Sequence, residues 1–202
     1  AAFLMVSSFV KIAVVLSILR SAIGLQQIPP ASVITGLALI LSVYIMAPTG
    51  AAMADQLKPA AEELSNSSQG TIDMDRMTAS LKRGVEPLRT FLARHAHPTE
   101  VSLFLRLAKR HMAGSSIGPV HRRDILVLVP AFVISQLTEA FQIGFLLFIP
   151  FLVIDLVVSN VLMALGMHML SPTTVSLPFK LLLFVMADGW HLLTQGLVAS
   201  YL

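Results

Sequence analysis

The 202-residue chain is long enough for one ordinary domain, but its mean hydropathy of +0.80 and 12% charged residues lie far outside soluble globular usage and point to a membrane protein. It has no cysteine, which excludes a disulfide framework and a thiolate metal site. The charge is localised: the 70 residues from Asp55 to Asp124 hold 11 of the 14 Lys and Arg and 8 of the 11 Asp and Glu, so the basic excess belongs to one segment and gives no reason to expect nucleic acid as a partner.

The chain opens inside an apolar stretch, AAFLMVSSFVKIAVVLSIL, with no initiator methionine, as a processed or N-terminally incomplete first membrane segment would. No charge occurs from Ser21 to Ala54. GLQQIPP (Gly24 to Pro30) interrupts this run, because paired prolines cannot continue a helix and Gly24 is a natural stop. One helix is therefore expected to end near Ile23 and a second to run from about Ala31 to Ala54, with a possible kink at Pro48. The second would be roughly 35 Å long, enough to cross a hydrocarbon core, and the two would form a helical hairpin.

The middle segment starts as an acidic helix, passes into a polar loop at Ser65 to Gly70, and then shows apolar residues at helical spacing: Leu88, Phe91 and Leu92, later Val101, Phe104, Leu105 and Ala108. A helix start follows Pro98, with Thr99 as the expected cap. AGSSIGPVHRRD reads as a linker. From Ile125 the chain is apolar again, and prolines at 130, 150, 172 and 178 predict helices of about 125–148, 150–170 and 178–201, with the clearest turn at Ser171 to Leu177. The organisation expected is an N-terminal hydrophobic hairpin (1–54), a polar helical insertion (55–124) and C-terminal hydrophobic helices (125–202).

Charges inside the apolar parts are the candidate functional residues, since each unpaired charge there costs several kcal/mol and should face protein or water. They are Lys11, Arg20, Glu139, Asp155, Lys180 and Asp188. Lys180 and Asp188 are eight residues apart, about two helical turns, so each needs a partner on another helix or another subunit; mutual pairing as assembly glue is the alternative to a functional role. Arg20, near a helix end, could snorkel. His95, His97, His111 and His121 match no structural zinc pattern and read as solvated loop histidines, so no metal is expected. HExxH, GxSxG, a phosphate-binding glycine loop and a cysteine nucleophile are all missing from the sequence, so neither catalysis nor a cofactor is expected. In GMHMLSP (Gly166 to Pro172), Met167 and Met169 are soft, reshapeable side chains suited either to a deformable seal or to filling a packed helix pair, while His168 between them wants a hydrogen-bond partner or water.

Three stretches, FVKIAVVLSILRSAIGLQQIPP, LVPAFVISQLTEAFQIGFLLFIPFLVIDLVVSNVLMALGMHMLSP and SLPFKLLLFVMADGWHLL, closely resemble the FliP/SctR family of export-apparatus core subunits of bacterial type III secretion systems. GLQQIPP and VVSNVLMALGM look more like the injectisome branch than the flagellar branch. The resemblance implies an all-α protein of hydrophobic hairpins that assembles into an oligomeric helical pore complex, a pentamer joined by SctS-type and SctT-type subunits. It further implies an SctU-type switch protein, inner rod or needle proteins and translocated unfolded polypeptides as partners, a place in the inner membrane largely on its periplasmic side, and a further apolar helix upstream of Ala1. By position, Met167, His168 and Met169 correspond to the family's methionine gasket. His168 stands where the family usually has a methionine, which suggests a pH-sensitive closure. The positive-inside rule would put residues 55–124 in the cytoplasm, but it acts weakly on loops longer than about 60 residues, and the resemblance implies the periplasm. A small secondary transporter or ion channel using the buried carboxylates is the alternative from another class.

Overall fold

The computed structural model describes residues 2–24, 29–66, 74–112 and 119–202. Among them every regular element is a helix: α1 (Ala2–Met5), α2 (Phe9–Ile23), α3 (Ala31–Asn66), α4 (Met74–His95), α5 (Pro98–His111), α6 (Ile125–Ala164), α7 (Pro172–Met186) and α8 (Gly189–Ala199). The all-α expectation is met, and α2 ends at Ile23 as expected. Most of GLQQIPP, the polar stretch at 67–70 and the first half of the linker lie outside the described residues.

α3 runs through Pro48, as expected, and on through Pro59 to Asn66, so Ser65 is helical; α6 runs unbroken through Pro130 and also through Pro150, where the sequence suggested a break. The last hydrophobic segment begins at Pro172 and includes Pro178, which moves the turn expected at 171–177 back to 165–171. A proline inside a helix forfeits one hydrogen bond and crowds the preceding turn, yet these helices continue through Pro48, Pro59, Pro150 and Pro178, all of them exposed. The true stops carry glycine in the left-handed region, Gly24 at φ 88° and Gly166 at φ 74°, where an L side chain would be strained. In α5 the proline itself takes the first helical position and His97 precedes it as N-cap, so Thr99 lies inside the first turn rather than capping it.

By contacts the chain divides into two units, 1–7 with 43–136 and 8–42 with 137–202. In the first, the corner between α4 and α5 packs on the start of α6. Leu92, Ala96 and Val101 from the corner meet Val127, Leu128, Ala131 and Phe132 from α6 in one buried cluster. Phe91 lies with its ring centroid 5.7 Å from that of Phe132. The corner's backbone is held by α6 side chains: His97 N–H donates to Ser135 Oγ at 2.8 Å and Gln136 Nε2 donates to the His95 carbonyl at 3.0 Å. These bonds satisfy groups that the chain reversal takes out of the helical ladder. Gly84 lets α4 approach α3, since a Cβ there would lie 2.4 Å from Leu57 Cδ2.

In the second unit α2 and the first turns of α3 form the expected hairpin, pinned near its open end by a buried hydrogen bond from Ser8 Oγ to Ser42 Oγ at 3.1 Å. α2 also lies parallel to α6, because Lys11 meets Glu139, Ile18 meets Gly144, and the carbonyl of Ala22 and Asp155 share Lys180. Gly144 permits this approach: a Cβ there would lie 2.5 Å from Ile18 Cδ1 and 3.2 Å from its Cβ. Residues Ala31–Pro59 and all of α6 are long and apolar enough to cross a membrane, and α7 with α8 would make a third span bent by 61°. The 40 residues of α6 extend about 60 Å, twice a typical hydrocarbon thickness, so a large part of it needs some other apolar cover.

Candidate functional site

Four of the six charges singled out in the sequence come together as two ion pairs. Lys11 on α2 is 1% exposed and its Nζ donates to Glu139 Oε2 on α6 at 2.6 Å. The same ammonium lies 4.7 Å from the ring centroid of Tyr201, within range of a cation–π attraction. Lys180 on α7, 3% exposed, donates to Asp155 Oδ2 on α6 at 2.6 Å and to the Ala22 carbonyl at 3.3 Å. Ser176, one turn earlier on α7, donates its hydroxyl to the other oxygen of Asp155.

The chemistry of each cluster follows from where the helices end. Ala22 belongs to the last turn of α2, whose carbonyls have no intrahelical partner and carry the negative end of the helix dipole. A cation placed there is stabilised twice, by the carbonyl and by Asp155, and Gly24 leaves the space, with its hypothetical Cβ 3.9 Å from Lys180 Nζ. Burying two charges forfeits hydration worth several kcal/mol per ion, and the pair recovers it only when both partners are also hydrogen-bonded. Here the arrangement comes close to that condition. Lys11 and Lys180 therefore act as cross-links that fix α2 and α7 on α6, joining residues 128 and 25 positions apart in the chain.

The remaining two charges behave differently. Arg20 is half-buried in the last turn of α2. Asp188 does not share a helix with Lys180, as their spacing suggested: α7 ends at Met186, and Asp188 sits in the elbow before α8 with φ 49°. It is exposed.

The Met167, His168 and Met169 stretch lies in the loop between α6 and α7. The loop is opened by a paired glycine stop, in which Met167 N–H donates to the Leu162 carbonyl at 2.9 Å and Gly166 N–H to the Met163 carbonyl at 3.1 Å. This is the Schellman arrangement, with Gly166 as the left-handed residue. It closes at Pro172, whose ring presets the first helical residue of α7. Between these two stops all the side chains are exposed, Met169 fully. The packing-filler alternative for the methionines thus finds no support within one chain, since neither is buried against its own helices.

Ser176 and Tyr201 were not singled out by the sequence. Ser176 precedes Lys180 by four residues and shares its helical face, a signal that spacing alone carries. Tyr201 has no such signal, because its meeting with Lys11 depends on the fold.

Long apolar helices with Lys11 and Lys180 buried among them, large apolar side chains such as Phe145 and Leu146 exposed, and an exposed methionine loop define a helical membrane protein. The FliP family matches it over residues 1–197. It is 48% identical over 197 residues to the Yop proteins translocation protein R of Yersinia pestis, covering 98% of this chain and 88% of that protein. It is 42% identical over 200 residues to the hypersensitivity response secretion protein HrcR of Ralstonia nicotianae, covering 99% and 90%. It is also 46% identical over 202 residues to the flagellar biosynthetic protein FliP of Pectobacterium carotovorum, covering 100% and 73%. The chain belongs to the FliP family, and secretion proteins of pathogens predominate among these relatives, in line with the injectisome-branch resemblance.

Proposed function

We propose that this protein is a pore-forming core subunit of a bacterial type III secretion export gate, which conducts unfolded polypeptides across the inner membrane. The observation that carries the reading is the loop from Leu165 to Ser171: a chain of this family presents Met167, His168 and Met169 to the outside between two rigid helix stops. Copies of the chain around a common axis bring these loops together as a ring of soft side chains. Such a ring deforms around a passing polypeptide and closes behind it, because thioether side chains repack without a fixed interlocking geometry.

Assembly supplies the missing cover for the apolar faces. Phe145, Leu146 and Leu156 on α6 and Leu182 on α7 are exposed in one chain, and neighbouring copies with SctS-type and SctT-type subunits would bury them. The complex is a pentamer with those partners at the periplasmic side of the inner membrane, docked to an SctU-type switch protein and to inner rod or needle proteins. The chain itself has no catalytic role. His168 stands between Met167 and Met169, and any pH dependence of leak between about pH 5.5 and about pH 8 is expected to be lost in His168→Met.

Native mass spectrometry of the detergent-extracted chain, alone and co-expressed with its SctS-type and SctT-type partners, tests the assembly. A closed pentamer that recruits both supports the reading. A monomer or dimer that ignores them contradicts it and returns the buried carboxylates to an ion-transport role.

A further inference from the structure

Among the described residues, Asp188 is the one charge of the apolar segments that is not engaged. Lys11, Glu139, Asp155 and Lys180 are paired within the chain, and Arg20 also has an interaction of its own. Among the described residues no hydrogen bond or ion pair reaches the Asp188 carboxylate. It stands at the N-cap of α8, where aspartate ordinarily accepts a bond from the first helical N–H groups, yet its side chain makes no such bond.

The elbow that carries it is tightly built. The Phe184 ring lies so close to Gly189 that a Cβ there would be 2.3 Å away, and Trp190 packs edge-on against the same ring at 5.4 Å. Asp188 takes the left-handed conformation, which aspartate tolerates better than most residues. Its exposed neighbours along the chain are mostly apolar, Leu182, Val185, Met186 and Leu192, with His191 the polar exception. A carboxylate fixed in an apolar surface of a membrane protein calls for a cation when that surface is covered.

We propose that Asp188 docks the single Lys or Arg of an apolar helix belonging to a different membrane subunit. Charge complementarity selects that occupant over a second copy. In this chain's own apolar segments all three basic side chains are already engaged, and its other Lys and Arg belong to the polar segment from Asp55 to Asp124. The inference rests on the assembly reading above, of which it specifies one contact.

The test purifies the complete membrane complex carrying Asp188→Asn or Asp188→Gly and measures, by native mass spectrometry, the fraction of chains that retain each partner subunit. Both replacements accept the left-handed backbone, so a purely structural role leaves both like the parent. The expected result is roughly a tenfold or greater loss of one heterologous partner in both variants, with self-association unchanged. Recovery should follow when Asp188→Lys is combined with the reverse change, Lys or Arg to Asp, in that partner. Retention of every partner in both variants overturns the inference alone, as does loss of self-association, which would make a second copy the occupant. A parent chain that binds no partner overturns the assembly reading and this inference with it.

Discussion

In the unit formed mainly by residues 43–136, Leu92 and Phe132 are fully buried while Lys82, Arg83, Arg94 and Arg106 are exposed. In the unit formed by 8–42 and 137–202 the pattern is reversed: Lys11 and Lys180 are buried, and Phe145, Leu146 and Met186 are exposed. The α4–α5 corner of the first unit follows the rule for a domain in water, with amphipathic helices closing over a small core. The second uses its few polar groups to fix helix positions and leaves its apolar surface for something else to cover. An exposed apolar face of this extent marks lipid or protein contact, and the electrostatics inside it are what keep the helices in register before that contact forms.

Changes to the two units should therefore fail in different ways. The largest effect is expected from Lys180→Ala, which leaves the half-buried Asp155 without its cation and should destabilise the detergent-solubilised chain by about 3 kcal/mol. Replacing both partners, Lys180→Met with Asp155→Leu, should recover most of that loss in thermal unfolding; if the double variant is as unstable as the single, the pair is not a paired cross-link. In the first unit, Leu92→Ala should cost about 3 kcal/mol by cavity formation, visible in the same melt, with no rescue by an apolar partner.

Gly144→Ala should come next, at about 2 kcal/mol, because Ile18 Cγ2 and Cβ leave no room for the methyl group; the compensating Ile18→Ala should restore stability. Gly166→Ala should cost about 1 kcal/mol through the left-handed backbone, read as a lowered melting temperature that Gly166→Asn partly spares. The smallest effect on the isolated chain is expected from Leu146→Ser, within about 0.5 kcal/mol, yet this change should reduce the yield of assembled complex. Equal assembly of Leu146→Ser and the parent would mean that this face is not an interface.

Much of this was legible in the residues. The helical periodicity of Leu88, Phe91 and Leu92 gave the buried side of α4, and the scarcity of charge picked out Lys11, Glu139, Asp155 and Lys180, each needing a partner on another helix. Their pairing was not legible, because partners 128 and 25 residues apart are matched only by the packing of α2 and α7 on α6. Prolines misled at Pro150 and Pro178, through which α6 and α7 continue, while the informative stop, Gly166, was present and unused. A glycine that satisfies the last turn together with the residue after it is the stronger terminator, and it is what exposes the methionine loop. Asp188 was misread for the same reason: its spacing from Lys180 presumed a continuous helix, and the left-handed residue at the elbow ended it.

The proposed function turns on the loop between α6 and α7 sealing a pore. Its most direct test is the ionic conductance of planar bilayers containing the assembled complex, with the parent chain or with Met167, His168 and Met169 all replaced by glycine. A closed parent complex and a marked rise in steady conductance for the triple variant are expected at equal assembly. Equal, low conductance in the two complexes would contradict that function and place the barrier elsewhere.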